Sequence, residues 1–311
     1  MSSRVRRLTS DNIEQCVPLV EERLLTSSSS LYATAACRRL LAQGSMMGIL
    51  IDAVESGESR GVVGVGAGVF VSASFTQAER DSPRPGLSDR VLDAAARQSS
   101  VVFTRRDLDT ANRADGLHLA VIFHYMRDGE PEPLKQEIRR QLMTSFVEDM
   151  RGYKLSEILV DSISEEDTTW AVTGGFRVRS TYPEWYRVNA HPLPRRSLVG
   201  ITREEALAAE GTVMSMLFHY QPPTLAFTPP QRRLLNEAVQ HKTDVEIAAA
   251  LGVSLSAVKK TWAAVFDKAG HLLGSAPCEP RHNCRGVPTR GAQKRHTLLT
   301  YLVDHPEELR P

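Results

Sequence analysis

The chain has 311 residues, 41% hydrophobic and 24% charged, with a formal net charge of +1. That length suffices for two domains with cores of their own, and the near-neutral total excludes a protein held to a polyanion by bulk charge alone. No run of about 18 apolar residues is present and the start MSSRVRRLTSDN lacks an apolar centre, so neither a membrane span nor a secretory leader is expected and the expected location is cytoplasmic.

Taken in chain order, residues 1–190 alternate strands and helices in a mixed α/β (α+β) pattern. Residues 5–9 predict a strand, 11–25 an amphipathic helix behind Ser10, and 32–43 a second helix. Residues 47–54 and 61–74 read as two strands of a hairpin across the polar turn at 55–60. The polar stretch 78–115 holds one predicted helix, at 89–98. After it come an apolar strand at 117–125, a long helix at 133–151, a strand at 156–161, a helix at 165–172 and a strand at 176–186. Residues 191–226 read as a connecting segment, in which Thr202 and Glu205 can form a capping box and 212–220 can be a strand rejoining the first domain.

Residues 227–270 predict three short helices. Thr228, Pro229 and Gln231 supply a cap, a favoured first helical residue and a box partner. Thr243 and Glu246 repeat the box, and Gly252 ends the second helix in a left-handed turn. Ser254 caps the third, in which Val258, Trp262, Val265 and Phe266 recur at helical spacing and should pack inward. The opposite face carries Leu255, Ser256, Lys259, Lys260 and Thr261. Residues 271–292 read as a basic loop rich in Pro and Gly, and 293–311 as a last helix and tail.

Thr228-Pro229, Leu234-Leu235, Asp244, Ile247-Ala248, Leu251-Gly252, Ser254 and Val258-Lys259 together resemble the LuxR-type helix-turn-helix. The resemblance implies an all-α C-terminal domain that reads double-stranded DNA. The implied contact residues are Thr243, Ser254, Leu255, Ser256, Ala257, Lys259, Lys260 and Thr261. Charge asymmetry agrees: residues 227–311 carry 12 Lys and Arg against 8 Asp and Glu, whereas the remainder is acidic. That excess is modest, so a homodimer is expected, through the last helix's stripe Leu298, Leu299, Leu302 and Val303 or with that stripe folded back on its own domain.

The element order of residues 1–190, with Val5-Arg6-Arg7-Leu8-Thr9 at the start and Gly175-Phe176 near the end, is similar to the GNAT acyltransferase order. That resemblance implies a coenzyme A pyrophosphate held on the turn after the fourth strand, which here is Arg127-Asp-Gly-Glu-Pro-Glu-Pro-Leu134. Its prolines remove donors and its acids repel phosphate. The family's tyrosine acid falls at Ala171 and its asparagine at Ser164. No catalytic residue and no cofactor is therefore assigned, and the domain is expected to sense a small ligand or mediate association. The expected function is a DNA-binding transcriptional regulator, with a GNAT-type N-acyltransferase fused to a DNA-binding module as the alternative.

Three further groups carry residue types of chemical interest. Gly64, Gly66 and Gly68 do not satisfy a dinucleotide fingerprint and, at period two, suit the close approach of a helix or ligand to one face of a strand. Cys278, His282 and Cys284 offer zinc ligands at a spacing that matches no common knuckle, so no metal is assigned. His118, Phe123, His124, Tyr125, Trp170 and the run Tyr182-Pro-Glu-Trp-Tyr186 read as core and surface of strands, with a ligand pocket as the other reading.

Overall fold

The computed structural model describes residues 2–55, 57–182, 197–270 and 291–310. These form two compact units, one of Met1–Met150 with Lys154–Tyr220 and one of Arg151–Tyr153 with Gln221–Pro311.

The first unit is a mixed α/β sheet flanked by helices. Its strands are β1 (Ser2–Arg7), β2 (Met46–Glu55), β3 (Glu58–Val71), β4 (Leu117–Met126), β5 (Leu155–Ser162), β6 (Arg177–Thr181) and β7 (Ser197–Thr202). Their order across the sheet is β1-β2-β3-β4-β5-β7-β6, antiparallel throughout except for the parallel pair β4 and β5. Between the strands run α1 (Ile13–Leu24), α2 (Ser27–Gln43), α3 (Ala73–Asp81), α4 (Leu87–Ala96), α5 (Arg105–Arg113), α6 (Glu132–Met150) and α7 (Glu165–Thr173); α8 (Arg203–Ala208) and α9 (Val213–Phe218) follow β7.

Two apolar layers hold the sheet. Ile13, Val20, Leu40 and Leu92 from α1, α2 and α4 pack with Leu50, Val65, Val69 and Ala120 on one face. Leu134, Ile138 and Leu142 of α6 pack with Ile49, Ile51 and Val63 on the other. The period-two glycines of β3 give α6 its seat: a Cβ on Gly64 would stand 2.8 Å from the Ile138 side chain, and one on Gly66 3.0 Å from Leu142. In β4, Ala67 faces Phe123 but Gly68 faces Val121, so Ile122 is an extra residue with no opposite number in β3.

Several expected boundaries are corrected. α1 starts at Ile13, not behind Ser10, because the Asn12 side chain accepts from Thr9 N at 2.8 Å and occupies the entry. α2 begins at Ser27, where Thr26 caps it by accepting from Ser29 N. The stretch expected to hold one helix holds α3, α4 and α5; the polar α5 buries only Leu108 and Asn112, too thin a stripe to show as periodicity. Residues 213–218 are helical, not a strand. The strand that rejoins the sheet is β7, lying between β5 and β6, so the sheet claims part of the segment read as a connector. The Thr202 capping box does form, with Thr202 N donating to Glu205 at 2.9 Å.

In the second unit, α10 (Pro229–Ala238), α11 (Asp244–Leu251) and α12 (Leu255–Lys268) are followed by α13 (Gly291–Asp304) and a 3-10 turn at Pro306–Leu309. Thr228 N donates to Gln231 Oε1 at 2.8 Å, Thr243 N to Glu246 Oε2 at 2.7 Å, and Ser254 Oγ accepts from Ala257 N at 3.2 Å. Gly252 takes φ +64°, the left-handed turn that closes α11. Leu234, Leu235, Ile247, Val258, Trp262 and Val265 make the core.

Leu298 and Leu302 are buried in that same core, so of the two readings of this stripe the structure has the one that folds back on its own unit; only Val303 of the four is exposed. Arg295 fixes the docking. Its guanidinium lies 4.7 Å from the Trp262 ring centroid and donates to Asp244 Oδ1 at 2.7 Å and to Lys242 O at 2.9 Å. Among the described residues no helix is long and apolar enough to cross a membrane.

Candidate functional site

The ladder between β4 and β5 is short. It runs from Leu117 beside Leu155 to Val121 beside Val160, yet β4 continues five residues further, to Met126. The strands therefore part at their carboxyl ends, where folds with parallel strands seat ligands. On the α6 side of this gap lies an apolar throat of about 80 Å3, walled by Val121, Leu142, Met143, Phe146 and Trp170. A wider polar mouth of about 310 Å3 adjoins it, and the two share His124, Leu142, Ile163, Asp167 and Trp170.

His124 stacks on Trp170 with ring centroids 5.0 Å apart. Burial holds its pKa below the ordinary value of 6.5; Asp167 opposes that shift and Arg139 adds to it. The imidazole is thus neutral at pH 7, carrying one free lone pair at the boundary of throat and mouth. In the mouth, Arg139 is paired with Glu166 and with Glu132, and Arg127 donates to Val62 O at 2.5 Å. Lys135 also lines it, and its side chain makes no hydrogen bond or ion pair among the described residues.

In the turn from β4 into α6 the backbone groups near the two prolines are partly used within the helix. Pro131 O already accepts from Leu134 N and Lys135 N, and Pro133 has no N–H to offer. Ser164 is spent on capping α7, donating to Asp167 at 2.9 Å, and Ala171 is a wall of the throat where the GNAT resemblance implies a hydroxyl.

Behind the gap, Asp161 is buried and accepts from Gly86 N and Leu87 N at 2.8 Å each and from Tyr182 Oη at 2.7 Å. It caps α4 and anchors β5 to it. Burial pushes the Tyr182 hydroxyl far above its usual range, with the Asp161 charge adding, so it stays a donor. Of the aromatic and histidine group singled out in the sequence, Phe123 and Tyr182 are core, whereas His124 and Trp170 form the cleft wall. Their meeting was not readable, because 46 residues separate them.

His118 stands apart, near the amino ends of the same strands. Its Nδ1 is 2.8 Å from Thr76 Oγ1 and 3.2 Å from Glu157 Oε2, and Arg80 lies 3.0 Å from the other Glu157 oxygen. Burial acts to raise the Glu157 pKa, but the hydrogen bonds from His118 and Thr76 and the Arg80 charge outweigh it and hold it below the usual range. Both contacts fall on one imidazole nitrogen, so no proton relay runs through the ring, and the cluster ties α3 to β4 and β5.

The residues expected to meet DNA lie together on the second unit. Thr243, Ser254, Leu255, Ser256, Lys259 and Lys260 are exposed, and Ala257 and Thr261 are half-buried. Thr243 Oγ1 donates to Glu246 at 2.8 Å and Thr261 Oγ1 to Ala257 O at 2.9 Å. Arg295, unlike the exposed lysines of α12, is held by Asp244 and Trp262. Cys278, His282 and Cys284 lie outside the described residues; among the described ones no cluster of three metal-ligating side chains occurs.

No family model and no curated protein matches the chain. Solved structures that do match include a mosquito arylalkylamine N-acetyltransferase-like protein at 12% identity, covering 65% of this chain and 100% of its own, with a TM-score of 0.35. A Drosophila melanogaster polyamine N-acetyltransferase matches at 13% identity over 64% of this chain and 98% of its own, TM-score 0.35. An N-acyl amino acid synthase from uncultured soil microbes matches at 11% identity over 67% and 97%, TM-score 0.35.

Proposed function

We propose that the first unit binds an acyl thioester in the gap between β4 and β5 and transfers the acyl group to an amine, as GNAT-type acyltransferases do. The observation that carries this is the ladder stopping at Val121 and Val160 while a lined cavity fills the space beyond. An extended thioester arm takes up the strand edge that β5 relinquishes, and its apolar acyl end enters the throat. The acidic, proline-bearing turn at 127–133 does not grip a carrier's diphosphate, so affinity rests on the arm and the acyl group.

In this reading neutral His124 takes a proton from an incoming ammonium. The freed amine attacks the thioester carbonyl; a C–N bond forms, the C–S bond breaks, and the second nitrogen proton goes to the departing thiolate, leaving amide and thiol. Thiol release from acyl-coenzyme A with a panel of amines is the test. His124→Asn should lower kcat by about 10²–10⁴-fold with thioester affinity kept. Because the His124 pKa is depressed, the wild-type rate should hold as pH falls through 6.5 and decline only below it. The absence of saturable thioester binding sinks the proposal.

A second reading concerns the other unit, and it rests on Lys259 and Lys260 standing exposed on one side of α12 beside Leu255 and Ser256. That face suits the major groove of double-stranded DNA, the lysines meeting phosphates and Leu255 a thymine methyl. The chain then acts as a transcriptional regulator whose first unit responds to an acyl ligand. A homodimer on two half-sites fits this reading, through a surface other than the buried Leu298 and Leu302.

A further inference from the structure

We propose that the throat is a gauge of acyl-chain length, selecting a straight apolar tail of about five to eight carbons over acetyl; this rests on the acyl-binding reading above. Its volume of about 80 Å3 divides into roughly five to eight water-sized groups at 10–15 Å3 each. Its lining on α6 includes Leu142, shared with the mouth, and Phe146 and Met150, which are not; Leu142 to Met150 is about 12 Å at the helical rise.

The wall chemistry fits a flexible alkyl chain. Met47, Met143, Met150 and Met214 bring pliable thioethers from three elements, β2, α6 and α9, and Gly66 and Gly68 carry no side chain into the space. An acetyl methyl fills one such position and leaves the rest of an apolar cavity empty, forfeiting the contacts that a longer tail gains. The polar groups that reach the inner part are committed elsewhere: Asp161 to α4 and Tyr182, Ser162 to Ser197 at 2.9 Å, and Asp149 to Arg7 at 3.1 Å. Nothing there asks for a polar tail.

The test is titration calorimetry on the full chain with acetyl-, butanoyl-, hexanoyl-, octanoyl- and dodecanoyl-coenzyme A, and in parallel with the free straight-chain carboxylic acids. Affinity should rise about fourfold per added methylene up to about eight carbons and then stop rising. Phe146→Ala, a half-buried position whose loss leaves the core intact, should move that break two or three carbons longer, and Phe146→Trp should move it shorter. Equal affinity for acetyl and octanoyl thioesters overturns the gauge and leaves acyl binding standing. Length-dependent binding of the acids alone upholds the throat and overturns the transfer reaction, and binding by neither series overturns both.

Discussion

The two units put their candidate surfaces on opposite sides of a packing problem. In the first, a ladder stops early and the sheet is left open to whatever fills the gap between β4 and β5. In the second, the described helices close on a core of their own: α13 turns Leu298 and Leu302 inward, and α12 keeps an exposed outer face. An inward site depends on core packing, so changes to it alter stability and binding together. An outward face separates the two.

Breaking the core of the second unit should have the largest effect. Trp262→Ala removes a buried ring that stacks on Phe266 and carries Arg295, and should cost about 3–5 kcal/mol, unfolding the second unit in chemical denaturation while the first keeps its own transition. A single shifted transition for both units would contradict this expectation. Next in size is Asp161→Ala, which strands two N–H groups at the start of α4 and the Tyr182 hydroxyl; about 3 kcal/mol should go from the first unit, with thioester binding lost too.

A pH prediction sharpens the first unit further. The Arg179 hydrogen bonds pull the Glu205 pKa down to about 2, with Thr202 helping and burial opposing. A depressed folded pKa means that the stabilisation is complete above the ordinary carboxylate range and is lost as pH falls from about 4.5 toward 2. Glu205→Gln should remove on the order of 1–3 kcal/mol at pH 7 and flatten the acid limb measured by thermal melting between those values. An unchanged acid limb would show that the pair contributes nothing.

The smallest effect on folding should come from the outer face. Lys259→Ala with Lys260→Ala should leave the melting temperature alone, because both side chains are exposed, yet weaken duplex binding and reduce its salt slope by about two counterions per subunit. An unaltered slope removes α12 as the groove-facing element.

Legibility in the sequence follows the range of the interactions. The helices of the second unit could be read because Thr243 with Glu246, Ser254 and Gly252 act within four residues of themselves. Strand and helix order in the first unit was legible for the same reason, through hydrophobic runs and turn residues. What could not be read was relational. β7 is only six residues long and follows a proline-bearing run in the sequence, and its place between β5 and β6 is a long-range fact. The cleft exists because two strands stop pairing, and no residue type marks where a ladder ends. His124 looked like one of several alternating strand residues; only the stack on Trp170 and the end of the β5 register distinguish it.

The additional residue at Ile122 has a consequence for how this chain tolerates change. Up to that point β4 alternates regularly, and Ala120 and Ile122 face α1 and α4; after it Phe123 joins them and the count is inverted, so that His124 emerges with the α6 side. Keep Ile122 but pair it regularly, with no extra residue in the ladder, and every later side chain of β4 exchanges faces. The histidine would be preserved as a letter and lost as a group in the cleft. Parity along one strand, and not only the identity of the residue, is what a descendant of this sequence has to keep.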